Sequence, residues 1–316
     1  MKTFAALLKR EWLEARFTYL AATLGLIALV TVFGTLATLV ATLSDGGVVV
    51  VIERMDEAGN TERHERISET MTTVADFSSW TNRELESRLG KLRTIIAAGF
   101  HSTYFLVLVF ILLGCVFDHR RDRSVLFWKS MPTSDHLTIL SKLVTPVWLV
   151  PLLVVAAMAV SWILLLGLLS AITLSSDLGS VTRLWAHSGI ASGILQELVG
   201  YAIQGLWSLP LFAWLIFISA SVSRLPLVWA IVIPVIPIIS ERIVLGSNVI
   251  GGFLLRHLEF AALPRLLPSD DRRTMMVQSV GDQLSLLLTG DLWLGVALGV
   301  ALLAGAVWFY RRNNEL

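Results

Sequence analysis

Apolar residues in this chain come in long blocks. They do not recur at the helical or strand periods of a soluble domain. A bilayer core is crossed by about 20 consecutive apolar helical residues, and six stretches qualify: 19–43, 95–117, 143–169, 198–220, 225–245 and 292–310. The first exceeds the roughly 7 to 15 apolar residues of a signal peptide and lacks a small-residue cleavage site, so it reads as a retained helix. The pattern predicts an all-α membrane protein with a six-helix transmembrane domain over residues 19–316.

Between the blocks, polar segments predict smaller elements. Residues 1–18 place Phe4, Leu7, Leu8, Trp12 and Ala15 along one helical face, with Lys9, Arg10, Glu14 and Arg16 mostly off it. This is the pattern of an amphipathic helix lying on the membrane surface, with Trp12 at headgroup depth. Residues 44–94 form the one sizeable polar insert. A β-rich run, the turn Glu57-Ala58-Gly59-Asn60 and a second polar run predict a hairpin. Leu85, Leu89 and Leu92 then recur at helical spacing, with Ser78 or Ser79 as cap, and predict a helix leading into the second span. In residues 246–290, Leu254, Leu255 and Leu258 share a helical face, while Arg256, Glu259 and Arg265 are polar. That pattern suits a helix on the membrane surface or dipping part-way in, and equally one packed on its neighbours.

Charge sets the orientation, because Lys and Arg beside the spans stay cytoplasmic. With the N-terminus inside, the inner segments carry Lys2, Lys9, Arg10 and Arg16; Arg120, Arg121, Arg123, Lys129 and Lys142; Arg224; and Arg311 and Arg312. The middle outer loop has Arg183 alone. Both termini are therefore expected in the cytoplasm and the 44–94 insert outside. Composition agrees: of 316 residues 55% are hydrophobic and 16% charged, with a mean hydropathy of +0.72. A net charge of +1 gives no reason to expect nucleic acid as a partner.

The sequence offers little catalytic chemistry. No GxxxxGK[ST] phosphate loop occurs; residues 88–93, RLGKLR, lack the earlier glycine and the hydroxyl residue. HExxH, GxSxG and a credible Ser-Lys pair are also missing. His64, His101, His119, His136, His187 and His257 include no pair spaced i, i+4, so no metal site is expected. The lone Cys115 excludes an internal disulfide and reads as a small packing residue. Glu53, Asp56, Glu57, Glu62, Glu65 and Glu69 follow no ligand pattern and read as a solvated hairpin surface. Ionisable groups near the spans are few. Glu197 borders the fourth, and Glu241 with Arg242 closes the outer end of the fifth, which makes the latter two candidates for gating or transport. The interior is thus expected to lack the carboxylate chain of a proton-driven pump. In the fifth span Pro226, Pro234 and Pro237 remove backbone donors and predict a kink or break, which adds Pro234 and Pro237 to the candidates for gating or transport. Gly295 and Gly299 form a GxxxG that permits close helix approach.

One basic, polar island interrupts the apolar blocks: RDRSVLFWKSMPTSDHLTILSK, residues 121–142. Asp122 or Ser124 caps a short helix through VLFWKSM, Pro132 stops it, and Thr133-Ser134-Asp135 caps the helix that becomes the third span. Val125, Leu126, Phe127, Trp128 and Met131 cover more of the circumference than a lipid-facing stripe requires, so part of this surface is expected to meet protein.

These residues resemble the loop of type-2 ATP-binding-cassette permeases, in which a charged start, a hydrophobic run, a Pro followed by Ser or Thr, and a Lys entering the next span recur in that order. Six spans, the N-terminal LLKREWLEAR helix and outer segments that look re-entrant before the sixth span are similar too. The resemblance implies the permease subunit of an ATP-driven exporter in a bacterial inner membrane. It would work as a homodimer, or with a related permease, beside separate ATP-binding subunits that hold ATP and Mg. The coupling helix, about 121–131, would seat in the ATPase, with Phe127 and Trp128 as apolar anchors and Arg121, Asp122 and Arg123 fixing orientation. A weakly charged interior favours amphipathic cargo. The competing expectation is a membrane sensor or scaffold whose outer insert binds a ligand or partner.

Overall fold

Apolar helices dominate the architecture. The computed structural model describes residues 2–43, 54–55, 61–62, 80–121, 134–176, 180–263, 266–268, 275–277 and 279–312. Outside these lie Asp122, Arg123, Val125, Leu126, Phe127, Trp128 and Met131 of the expected coupling helix. Ser78, Ser79, Arg265 and most of the 44–94 insert, with Glu53, Asp56, Glu57, Glu65 and Glu69, lie outside them as well.

In chain order the elements are α1 (Lys2–Leu43), β1 (Arg54–Met55), β2 (Thr61–Glu62), α2 (Asn82–Arg121), α3 (Asp135–Val144), α4 (Val150–Ser176), α5 (Val181–Ala186) and α6 (Ile190–Trp207). They continue as α7 (Leu209–Ser221), α8 (Pro226–Val244), α9 (Val249–Leu258), β3 (Leu266–Pro268), β4 (Met275–Val277), α10 (Val280–Ser285) and α11 (Gly290–Arg312). Among the described residues four stretches are long and apolar enough to cross a bilayer: Asn82–Arg121, Asp135–Ala171, Pro226–Val244 and Gly290–Arg312. The bent pair Val181–Trp207 and Leu209–Ser221 makes a fifth if counted as one crossing. The chain is a multi-pass membrane protein. α8 shows why water is not its surroundings: it is apolar on all sides, yet only Ala230 and Glu241 are buried along it.

Several boundaries differ from expectation. The surface helix over 1–18 and the first apolar block are not separate elements, since α1 runs unbroken through both. The expected face is nonetheless the less exposed one: Leu7 and Tyr19 are buried, and Trp12 stacks on Tyr19. The cap of α2 is Thr81, whose hydroxyl accepts from the Glu84 N–H at 3.3 Å while Glu84 Oε2 accepts from the Thr81 N–H at 2.8 Å. Ser134 caps α3 as expected, accepting from the Leu137 N–H at 3.4 Å. The hairpin has a two-residue antiparallel pairing, Arg54 with Glu62 and Met55 with Thr61.

A break falls in the fourth apolar block, where none was expected. α8 continues through Pro234 and Pro237, whereas the fourth apolar block breaks by 56° between α6 and α7, just before Pro210. Proline removes a donor and leaves the carbonyl four residues back without its helical partner. In α8 the carbonyl freed by Pro234 belongs to Ala230, and the Trp214 indole donates to it at 3.0 Å. The third block carries a π-helical turn over Thr145–Leu149, where the Tyr104 hydroxyl donates to the Pro146 carbonyl at 2.7 Å.

The chain divides into two compact units. In the first, Leu108, Leu112 and Val116 of α2, a helical i, i+4, i+8 stripe, pack with Ile139 and Leu143 of α3, Phe212 and Ile216 of α7, and Ala306 and Tyr310 of α11. Gly295 and Gly299 make their close approach within this unit. A Cβ at Gly295 would lie 2.5 Å from His257 Nε2, and one at Gly299 would lie 2.8 Å from Leu209 Cγ. In the second unit, Leu85 and Leu89 of α2 pack with Trp162, Leu166 and Leu169 of α4 and Leu184 of α5. Gly189, at φ +62, and Gly193 leave room for Arg93, which donates to the Gly189 carbonyl at 2.6 Å.

Candidate functional site

Two helices flank residues 122–133, and charged groups hold both. At the C-terminal end of α2, Arg120 Nη1 donates to the Ala220 carbonyl at 2.6 Å, at the end of α7, and His119 Nε2 lies 3.4 Å from Glu14 Oε1 of α1. At the start of α3, Asp135 accepts from Arg311 Nε of α11 at 3.1 Å, and Arg311 Nη2 donates to His136 Nε2 at 2.9 Å. Two turns on, Lys142 is buried and its Nζ donates to Glu11 Oε2 of α1 at 3.3 Å. Glu11 also pairs with Arg10. Burial pushes the Glu14 carboxyl above its ordinary range, with Lys142 pulling the other way. The termini, the ends of α2 and α7 and the start of α3 therefore share one collar of charge. These are the segments whose Lys and Arg content predicted a common side. Arg121 is exposed at the collar's edge, 3.9 Å from Asp118.

The gating candidates Glu241 and Arg242 separate in role. Glu241 is buried, and Arg242 is exposed. Glu241 Oε1 accepts from the Ser247 hydroxyl and the Val249 N–H at 2.6 Å each, and Oε2 accepts from the Ile250 N–H at 2.8 Å. Its charge sits on the N-terminus of α9, where free N–H groups and the helix dipole both favour an anion. The other end of α9 is closed by side chains too. Trp207 Nε1 donates to the Arg256 carbonyl at 2.7 Å, the Ser208 hydroxyl to the His257 carbonyl at 2.9 Å, and Gln204 Nε2 to the Glu259 carbonyl at 3.0 Å. Gln283 Nε2 donates to the Ala262 carbonyl at 2.8 Å. Side chains of this protein thus hold groups at both ends of the short helix. The contacts are those of the second reading of residues 246–290, a helix packed on its neighbours. His257 and Gly251 turn inward, while Leu255 and Leu258 of the expected apolar face are exposed.

Sequence reasoning missed one site. Glu197 does not merely border a span: it is buried on α6, with its Oε2 2.8 Å from Nε2 of buried His101 on α2. Aromatic rings surround the pair. His101 meets Tyr201 edge-on at 5.5 Å and Phe260 at 6.1 Å, and Tyr201 meets Tyr104 at 5.4 Å. The Tyr201 hydroxyl is buried without a hydrogen-bond partner among the described residues. Among the described residues this is a buried carboxylate–imidazole pair, a single pair and not a chain of carboxylates. The available signal was that His101 is the only His, Asp, Glu, Lys or Arg within 95–117. Among the described residues no three His, Cys, Asp or Glu side chains gather as metal ligands.

No family model matches the chain, and no curated protein or solved structure matches it. The class supported by fold and site is a multi-pass helical membrane protein with a charge collar at one end of its first unit and a buried His–Glu pair within it.

Proposed function

We propose that this chain is the membrane-spanning permease subunit of an ATP-driven exporter of the type-2 ATP-binding-cassette kind. It works as a dimer in a bacterial inner membrane, with both termini cytoplasmic, and moves an amphipathic substrate out of the cytoplasm. Separate ATP-binding subunits supply the energy, since the sequence contains no phosphate loop. The observation that carries the reading is the collar. The segment 122–133 joins α2 to α3, and the same two helices are tied by Arg120, His119, Asp135 and Lys142 to α7, α11 and α1. Displacement of that segment by a partner would reach all five helices through short polar contacts. The apolar side chains Phe127 and Trp128 are suited to anchoring a partner, because large aromatics in desolvated pockets dominate interface energetics.

The test replaces Phe127 and Trp128 together by Asp and assays co-purification of the tagged subunit with a phosphate-loop ATPase from the cells that express it. Loss of association, with the membrane level of the subunit preserved, is the expected result. Unchanged association and unchanged ATP-dependent transport would overturn the proposal.

A further inference from the structure

A cleft of about 500 Å³ opens in the second unit between the first turns of α2, the end of α4 and α5. Its floor is apolar: Leu85, Leu89 and Leu184 are buried beneath it. Its α2 wall carries Glu84, Arg88, Lys91 and Ile95, spaced i, i+4, i+7, i+11 and therefore on one helical face. Ile95 begins the second apolar block, and Leu169 on the opposite wall ends the third. The cleft therefore lies where two spans leave the hydrocarbon.

Depth and charge then specify an occupant. At 1.5 Å rise per residue, Lys91 and Arg88 stand about 6 and 10 Å beyond Ile95 along α2. A headgroup layer is roughly 5 to 8 Å thick per leaflet, so Lys91 lies at phosphate level and Arg88 about one turn further out on the same face, with an apolar wall below them. Glu84 is the one acid among the described residues of the lining, and its Oε2 already accepts from the Thr81 N–H and hydroxyl at 2.8 and 2.9 Å. The Arg88 guanidinium is held 4.4 Å over the Trp80 ring. Nearby Arg93 and Arg183 are committed elsewhere, Arg93 to the Gly189 carbonyl and Arg183 to Asn82 and the Trp80 carbonyl.

We propose that this cleft binds one anionic phospholipid, its phosphodiester at Arg88 and Lys91 and an acyl chain against Ile95 and Leu169. The inference does not depend on the transport reading. The experiment titrates the purified full chain with phosphatidylglycerol or phosphatidylcholine and counts bound lipid by native mass spectrometry. One phosphatidylglycerol should bind in preference to phosphatidylcholine. R88Q/K91Q should weaken that binding about thirtyfold, given the usual attraction of two basic side chains to anionic lipid, and leave phosphatidylcholine unaffected. Soluble glycerophosphate should fail to displace the lipid. In the unmodified protein, a photoactivatable phosphatidylglycerol should label the peptide spanning 80–95. Undiminished lipid binding by the variant, displacement by glycerophosphate alone, or labelling confined to other peptides would each overturn the proposal.

Discussion

Replacing Glu197 by Leu removes the carboxylate partner of a histidine whose side chain is only 3% exposed; Glu197 itself is 8% exposed. The two atoms are 2.8 Å apart. Breaking a buried ion pair from one side costs about 3–5 kcal/mol, because an uncompensated charge or donor remains. Removing both partners in favour of apolar groups of similar size is often neutral or better. Glu197→Leu and His101→Phe are therefore each expected to destabilise by about 3 kcal/mol, and the double variant by less than either. Equilibrium unfolding in bicelles provides the four corners of the cycle. A hydrogen bond between membrane helices averages only about 0.6 kcal/mol in such cycles. A coupling above about 2 kcal/mol thus marks an ion pair, and additive single variants, with coupling at or below the hydrogen-bond average, would refute the reasoning.

Glu241→Ala should remove the cap of α9 at a cost of about 1–2 kcal/mol, seen as faster amide exchange over residues 249–258 with α8 unaffected. Protection equal to wild type there would show that the cap is dispensable. Gly295→Leu should overpack the contact with His257 and destabilise by about 1–3 kcal/mol, whereas Gly252→Leu, with nothing within 4 Å of its Cβ position, should not. Equal thermal midpoints for the two variants would contradict the assigned packing.

Apolar blocks and the sidedness of Lys and Arg are local properties of the chain, and in lipid they decide much. A segment with no water to satisfy its backbone must be helical wherever it is continuously apolar. The helical character of the blocks, the cap at Ser134 and the Leu85, Leu89, Leu92 face were legible in the sequence. Which proline breaks a helix was not legible, because the answer lies in remote donors. Ala230 is rescued by the Trp214 indole, while the break before Pro210 is stitched to α9 by Trp207, Ser208 and Gln204. His101 and Glu197 are 96 residues apart on helices apolar around most of their circumference, so no periodicity says that they face each other. That Glu241 caps α9 was not legible either, because its partners Val249 and Ile250 belong to the next helix. Composition alone could specify that this chain enters a membrane, since transfer free energy sums residue by residue. Only packing could specify which of its few polar groups meet, since each such contact requires two distant segments to be held in one place.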